Sequence, residues 1–309
     1  MLLPLLDATP PLDTLRLHVS FRGFRSTGRR FTRRGLARRP VEFHLRCDND
    51  VVPYTDINYR FPYFPGLTLP RHLGAFACRL KTMCLAGLSL ADDFAGCLAK
   101  DFPVLEDLRL EGCMYGFRRL ASQSLRTLVI DSRCICIRYI HNDDVLVLAV
   151  AAPRIASLHI NGGALPVTVV GEMPDLVAAS LRDPAGELGL LRSLRYARSL
   201  DLTAFSATAL LDGEDVDFPV FGNLRNLVLH GCDVGVECHV LRRFLENSPS
   251  LEALTLRYCS CSGGSSGSRK RKATSCDKAS DDDWCTRMAY ECMSLKTIEL
   301  VYEDRDELS

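Results

Sequence analysis

One phrase, Leu-x-x-Leu-x-Leu, recurs along this chain and restricts its fold more than any bulk property does. Its clearest copies are Leu105-Glu-Asp-Leu108-Arg-Leu110-Glu-Gly-Cys113, Leu224-Arg-Asn-Leu227-Val-Leu229-His-Gly-Cys232 and Leu251-Glu-Ala-Leu254-Thr-Leu256-Arg-Tyr-Cys259. Similar copies start at Leu12, Leu80, Leu125, Ile155 and Leu295, and weaker ones surround Val41–Leu45, Leu176–Leu181 and Ala197–Leu202. Aligned on the central apolar residue, the copies fall at positions 15, 43, 83, 108, 128, 158, 179, 200, 227, 254 and 298. Many of these steps lie within the ~20–29 residues of a leucine-rich repeat.

The spacing has a direct physical reading. The last two leucines of each phrase sit two apart, so in a strand both point to one face. A single unit cannot bury that face; stacked neighbours bury it as a continuous core. The expected fold is therefore α/β: a leucine-rich-repeat solenoid of the ribonuclease-inhibitor-like kind, an irregular horseshoe with a parallel concave sheet. The Cys three places after the last leucine occupies the Asn/Cys slot inside the turn, so Cys113, Cys232 and Cys259 read as structural. Between the strands, Val236–Leu245 and Ala91–Lys100 carry apolar residues at helical spacing, and Pro249 stops the first of these segments. The solenoid is expected over residues 1–259. Ser260–Asp283 is Gly/Ser-rich, then basic, then acidic, and predicts a disordered insertion. Residues 284–309 would hold the last repeat.

Composition removes several function classes. Lys+Arg and Asp+Glu balance at 38 each, which argues against whole-molecule attraction to nucleic acid or membrane. The longest apolar stretch, Val145–Ala152, is far shorter than the ~20 residues of a spanning helix, so no membrane partner is expected. The opening MLLPLLDATPPL lacks a basic segment and is interrupted by Asp7, unlike a secretory signal. The 14 Cys then read as reduced thiols in a cytoplasmic or nuclear protein.

No constellation for chemistry appears. Cys134-Ile-Cys136 and Cys259-Ser-Cys261 lack four-ligand zinc spacing, and neither Gly-x-Ser-x-Gly nor His-Glu-x-x-His occurs. The reading is no enzyme, no catalytic residues, no metal and no cofactor. Arg269, Lys270, Arg271 and Lys272 form a candidate nuclear-localisation signal, with a solvated linker as the plainer alternative. Arg22–Arg39 holds eight Arg interleaved with Phe21, Phe24 and Phe31 nearby, either a phosphate-binding surface or a solvated flank with Phe and Leu36 facing the core. What remains is the concave strand face. Asp107, Arg109 and Glu111 form one rung, and His159 and Asn161 belong to another. Asn226, His230 and Arg257 follow as further partner-contacting candidates. A wide surface of mixed charge suits protein recognition better than a small ligand.

The series of phrases resembles plant F-box proteins with leucine-rich repeats and a C-terminal FBD-type region, especially the cereal type. The resemblance is carried by Ala8–Leu17, Phe102–Cys113, Ser122–Leu128, Ala152–Leu158, Met173–Ala179, Phe221–Leu227 and Leu245–Leu256, with Leu295–Tyr302 similar to the last strand of the terminal region. In that family the F-box recruits the Skp-type adaptor of a cullin–RING ubiquitin ligase and the repeats select the substrate. An F-box, a small helical domain of ~40–50 residues, should precede the repeats. Here the first repeat begins by Leu12, so no F-box is visible and binding of the Skp-type adaptor is in doubt. The resemblance implies a non-enzymatic substrate-recognition scaffold that has lost its F-box, with unidentified protein partners. Two other readings stay open: a nuclear nucleic-acid-associated protein using the basic patches, and a truncated orphan repeat protein.

Overall fold

The structure, a computed structural model, describes residues 11–20, 29–48, 66–67, 78–131, 147–161, 167–182, 188–204, 218–232, 234, 238–259 and 294–301. The chain divides into two compact units, Met1–Leu176 and Val177–Ser309. The insertion expected at 260–283 and the basic tetrad at 269–272 lie outside the described residues.

Unit 1 contains β1 (Thr14–Ser20), α1 (Arg29–Ala37), β2 (Glu42–Asp48), β3 (Gly66–Leu67), β4 (Thr82–Ala86), β5 (Ser89–Leu90), α2 (Phe94–Asp101) and β6 (Asp107–Glu111). It continues through β7 (Met114–Tyr115), β8 (Arg119–Ala121), β9 (Thr127–Asp131), β10 (Leu148–Ala151), β11 (Ser157–Asn161) and β12 (Val167–Val169). Unit 2 contains β13 (Ala178–Arg182), α3 (Leu188–Ser193), β14 (Ser199–Thr203), β15 (Asn226–His230), α4 (His239–Glu246), β16 (Ala253–Arg257) and β17 (Thr297–Val301). This is an α/β protein dominated by parallel sheet, with few helices.

In unit 1 the main sheet runs β1-β2-β4-β6-β9-β11, and in unit 2 β13-β14-β15-β16-β17, with parallel pairing. Every apolar centre marked by the sequence phrase is the second residue of one of these strands. In unit 1 the register sets Leu15, Phe43, Met83, Leu108, Leu128 and Leu158 side by side. In unit 2 it sets Ala179, Leu200, Leu227, Leu254 and Ile298 side by side. Leu108, Leu128, Leu200 and Leu254 are fully buried, as period-two alternation with one apolar face requires. On β17 the alternation leaves Ile298 41% and Leu300 43% exposed, so the apolar face stays uncovered at this end of the sheet.

The turns repeat as strictly as the strands. The first leucine of a phrase closes a short turn: the Leu105 N–H donates to Phe102 O at 3.2 Å, Leu224 to Phe221 O at 3.2 Å and Leu251 to Ser248 O at 3.1 Å. Directly after the strand the backbone enters the left-handed region, at Gly87, Gly112, Ala204, Gly231 and Tyr258. The N–H at that point donates to the last carbonyl of the next strand, as Gly112 does to Asp131 O at 2.6 Å and Ala204 to His230 O at 2.8 Å. Two residues further from each strand end lies the Cys slot. The Cys113 thiol donates to Leu85 O at 3.3 Å, Cys232 to Leu202 O at 3.2 Å and Cys259 to Leu229 O at 3.4 Å. Each thiol thus meets a carbonyl of the preceding repeat, which is why a small donor recurs there. Burial pushes the Cys113 thiol up to about 12.

The layer behind the sheet is uneven. Ala91–Lys100 folds as α2 over Phe94–Asp101, burying Phe94, Ala95 and Leu98, while Cys97 is only half-buried. Phe94 stacks on Phe117 at 5.9 Å and Phe117 on Tyr115 at 4.7 Å. The 236–245 segment supplies α4 over His239–Glu246, which buries Val240, Leu241, Phe244 and Leu245. Its stop is built by Asn247, whose side-chain amide donates to Arg243 O at 2.9 Å. Elsewhere in unit 1 this layer consists of short parallel strands, ordered β12-β10-β8 and β3-β5-β7. The apolar run Val145–Ala152 contains β10, whose Leu148 and Val150 are fully buried. In α1, Leu36 is buried as expected, but Phe31 is 38% exposed rather than facing the core.

Candidate recognition surface

Because odd-numbered positions of the strands face away from the core, the register sorts them into columns. In unit 1 the first column is Thr14, Glu42, Thr82, Asp107, Thr127 and Ser157. The middle column is Arg16, His44, Cys84, Arg109, Val129 and His159. The third is His18, Arg46, Ala86, Glu111, Asp131 and Asn161. A cation-bearing middle column is therefore flanked by carboxylates at Glu42 and Asp107 on one side and at Glu111 and Asp131 on the other.

The candidates in unit 1 occupy this face. Asp107, Arg109 and Glu111 lie on β6, and His159 and Asn161 lie on β11, with β9 between them. Arg109 and His159 share a rung through Val129, so two strand spacings, about 10 Å, separate their backbones. Arg109 and Glu111 are exposed, and Asp107, His159 and Asn161 are half-buried. The Thr82 hydroxyl donates to the Asp107 carboxylate at 3.4 Å, and Lys81 pairs with Glu106 at 3.1 Å at the entry to the strands. Nearer β1, His18 pairs with Asp48, which Arg46 also meets at 3.3 Å.

In unit 2, Asn226 and His230 stand on β15 and Arg257 on β16, and His230 and Arg257 are direct register partners. The His230 ring lies 5.6 Å from the Tyr258 ring, and Arg257 meets Glu299 at 3.3 Å. Thr255 donates to the same carboxylate at 3.3 Å. Where the strands begin, Glu252 accepts Lys296 at 3.0 Å and Arg225 at 3.4 Å. The Lys296 hydrogen bond, then its charge and that of Arg225, hold the Glu252 carboxyl below its ordinary range.

Several residues of these faces escaped the sequence reading. His44 and Arg46 on β2, Cys84 on β4, Asp131 on β9 and Asp201 on β14 all occupy odd positions of the same rungs. Extending the odd-position rule to the weaker phrases at 43 and 200 finds His44, Arg46 and Asp201, and the copies at 83 and 128 find Cys84 and Asp131. Burial raises the Cys84 thiol, while the Arg109 guanidinium beside it works in the opposite direction. Among the described residues no group of three or more His, Cys, Asp or Glu is placed to hold a metal ion. Among them, too, no helix is long and apolar enough to cross a membrane.

No family model matches the chain. It is similar to the meiotic F-box protein MOF of Oryza sativa subsp. japonica, with 32% identity over 323 aligned positions. The match takes in 95% of this chain and 62% of that protein, so the chain spans less than two thirds of its relative's length. A similarity of this extent supports a relation to the F-box proteins of plants.

Proposed function

We propose that the chain is a non-enzymatic protein-recognition scaffold, a leucine-rich-repeat solenoid of the irregular-horseshoe type whose exposed strand faces bind a protein partner. In this reading it is the substrate-recognition part of an F-box-type ubiquitin ligase receptor. The observation that carries it is the unbroken register, which lines mixed-charge side chains into columns on one sheet face. Such columns can contact an extended partner surface at many points, each contributing little alone. The similarity to a meiotic F-box protein adds the ubiquitin-ligase setting. The described elements form sheet and its backing rather than a small helical adaptor-docking domain, so these residues supply the substrate side. Asp107, Arg109, Glu111, His159, Asn161, Asn226, His230 and Arg257 are the contact residues, and the work takes place in cytoplasm or nucleus.

The test is a paired capture from plant reproductive tissue, using the wild-type chain, an Arg109→Glu/His159→Glu variant and an Arg242→Glu variant at an exposed position of α4. A partner bound by the wild type and the α4 variant but lost from the sheet-face variant supports the reading. Partners that survive the face variant, with all three proteins folded, refute it. Co-precipitation with the Skp-type adaptor, beside a relative with an F-box, decides separately whether these residues reach the adaptor. A second reading rests on α1, where Arg30, Arg33 and Arg34 are exposed. It requires steeply salt-dependent nucleic-acid binding and ends if none occurs at low salt.

A further inference from the structure

Two consecutive Cys slots are filled in unit 2, in turns that leave neighbouring strands. His230 and Arg257 are register partners, and Cys232 and Cys259 each follow two residues later, so the pairing of repeats continues into the turns. The Cys232 sulfur lies 3.2 Å from Leu202 O and 3.5 Å from His230 O; the Cys259 sulfur lies 3.4 Å from Leu229 O and 3.6 Å from Arg257 O. Of the groups around it, the Cys232 side chain acts most strongly on the Cys259 thiol. Neighbouring strands run about 4.8 Å apart, inside the ~4.4–6.8 Å between Cα atoms that a disulfide spans. No other slot offers this pairing among the described residues: the place next to Cys113 in the preceding repeat is taken by Leu88.

The two thiols also divide the work of exchange. A thiol has one proton, so Cys232 stabilises the Cys259 sulfur as thiolate only when it turns that proton from Leu202 O to the Cys259 sulfur. That hydrogen bond holds Cys259 down to about 6 against the opposing effect of burial, helped by the backbone at Cys232 and Arg257. Cys259 is half-buried and Cys232 fully buried, so an attacking thiolate is within reach of solvent with a resolving thiol beneath it. The repeat slot alone asks only for a small donor, which Cys113 satisfies with a thiol pushed up to about 12.

We propose that Cys232 and Cys259 are a modification site, a reversible disulfide closed by hydrogen peroxide that joins the turn leaving β15 to the turn leaving β16. The Cys259 thiolate attacks one peroxide oxygen, the O–O bond breaks, and hydroxide leaves as Cys259 becomes a sulfenic acid. The Cys232 sulfur then attacks the Cys259 sulfur; the S–O bond breaks, and the expelled hydroxide takes the Cys232 proton. Two thiols are oxidised by two electrons and one peroxide is reduced to two waters, the other water drawing on the proton first released from Cys259. The site is independent of which partner the sheet face binds.

The test uses the full reduced chain, exposed to hydrogen peroxide, blocked with N-ethylmaleimide and mapped by peptide mass spectrometry. The expected product is a linked peptide holding Cys232 and Cys259 that dithiothreitol abolishes. In the reduced folded protein, Cys259 should alkylate at pH 7 more than ~100-fold faster than Cys113, because only the former is largely thiolate there. In Cys232→Ser, dimedone should trap the Cys259 sulfenic acid that the resolving thiol otherwise consumes. A disulfide from Cys259 to another cysteine such as Cys261, or Cys259 alkylating with the midpoint of an ordinary thiol, would overturn the proposal. Should Cys232→Ser fail to fold, the mapping and alkylation of the unsubstituted chain decide by themselves.

Discussion

Leu108→Ala tests the strand phase on which every surface assignment rests. Leu108 is fully buried on β6 between Met83 and Leu128, which are fully buried as well. Truncation removes about three methylene equivalents, or roughly 2.4 kcal/mol of transfer free energy at ~0.8 kcal/mol each. The cavity adds to this, because parallel hydrogen bonds on both sides hold the neighbouring strands at their spacing and prevent collapse. The total expected is ~3–4 kcal/mol, inside the range of buried Leu→Ala changes. Arg109→Ala, one residue along the same strand, removes an exposed side chain and should stay within ~0.5 kcal/mol. Urea unfolding followed by circular dichroism measures both against wild type. A loss under ~1 kcal/mol at Leu108, or an equal loss at Arg109, would show that the faces are assigned the wrong way round.

Two other measurements address the turns and the charges. Nothing lies within 4 Å of a Cβ built on Gly112 (φ +55), so Gly112→Ala should cost about 1 kcal/mol through backbone strain alone, while Ala204→Gly, at φ 55 in the equivalent place, should stabilise by ~0.5–1 kcal/mol. Equal signs for these two substitutions in thermal unfolding would refute the shared-slot argument. Glu252 has a folded pKa below its ordinary 4.5, so its contribution is present above 4.5 and is lost as pH falls through the lowered folded value. Carboxyl-carbon NMR should place its midpoint below 4.5, with Lys296→Met moving it upward; a midpoint at or above 4.5 in wild type would contradict the Lys296 pairing.

Much of this architecture was legible in the chain because its code is local. Period-two spacing in Leu-x-x-Leu-x-Leu places two leucines on one face whatever surrounds them, and so each phrase centre, from Leu15 to Ile298, could be placed on a strand. The Cys of the slot was legible for a similar reason, since its place is fixed by its distance from the last leucine of the phrase. The same odd-position rule placed Arg109, His159 and Arg257 on the uncovered face. It overlooked His44 and Asp201 only because the phrases around them are poorer in leucine.

What the chain did not disclose depends on contacts between repeats. Periodicity cannot distinguish a buried short strand from a buried helix segment, and so β10 within Val145–Ala152 was read only as an apolar stretch. The exposure of Phe31 depends on how α1 seats against β1, where Leu36 takes the inward place. Register is also a matter of pairing: only when β15 and β16 align does His230 stand beside Arg257. The same alignment makes two separate slot residues, Cys232 and Cys259, neighbours, because residues 27 apart in the chain are brought together by one strand spacing. Local patterning determined which residues face inward; tertiary stacking alone decided which of them meet.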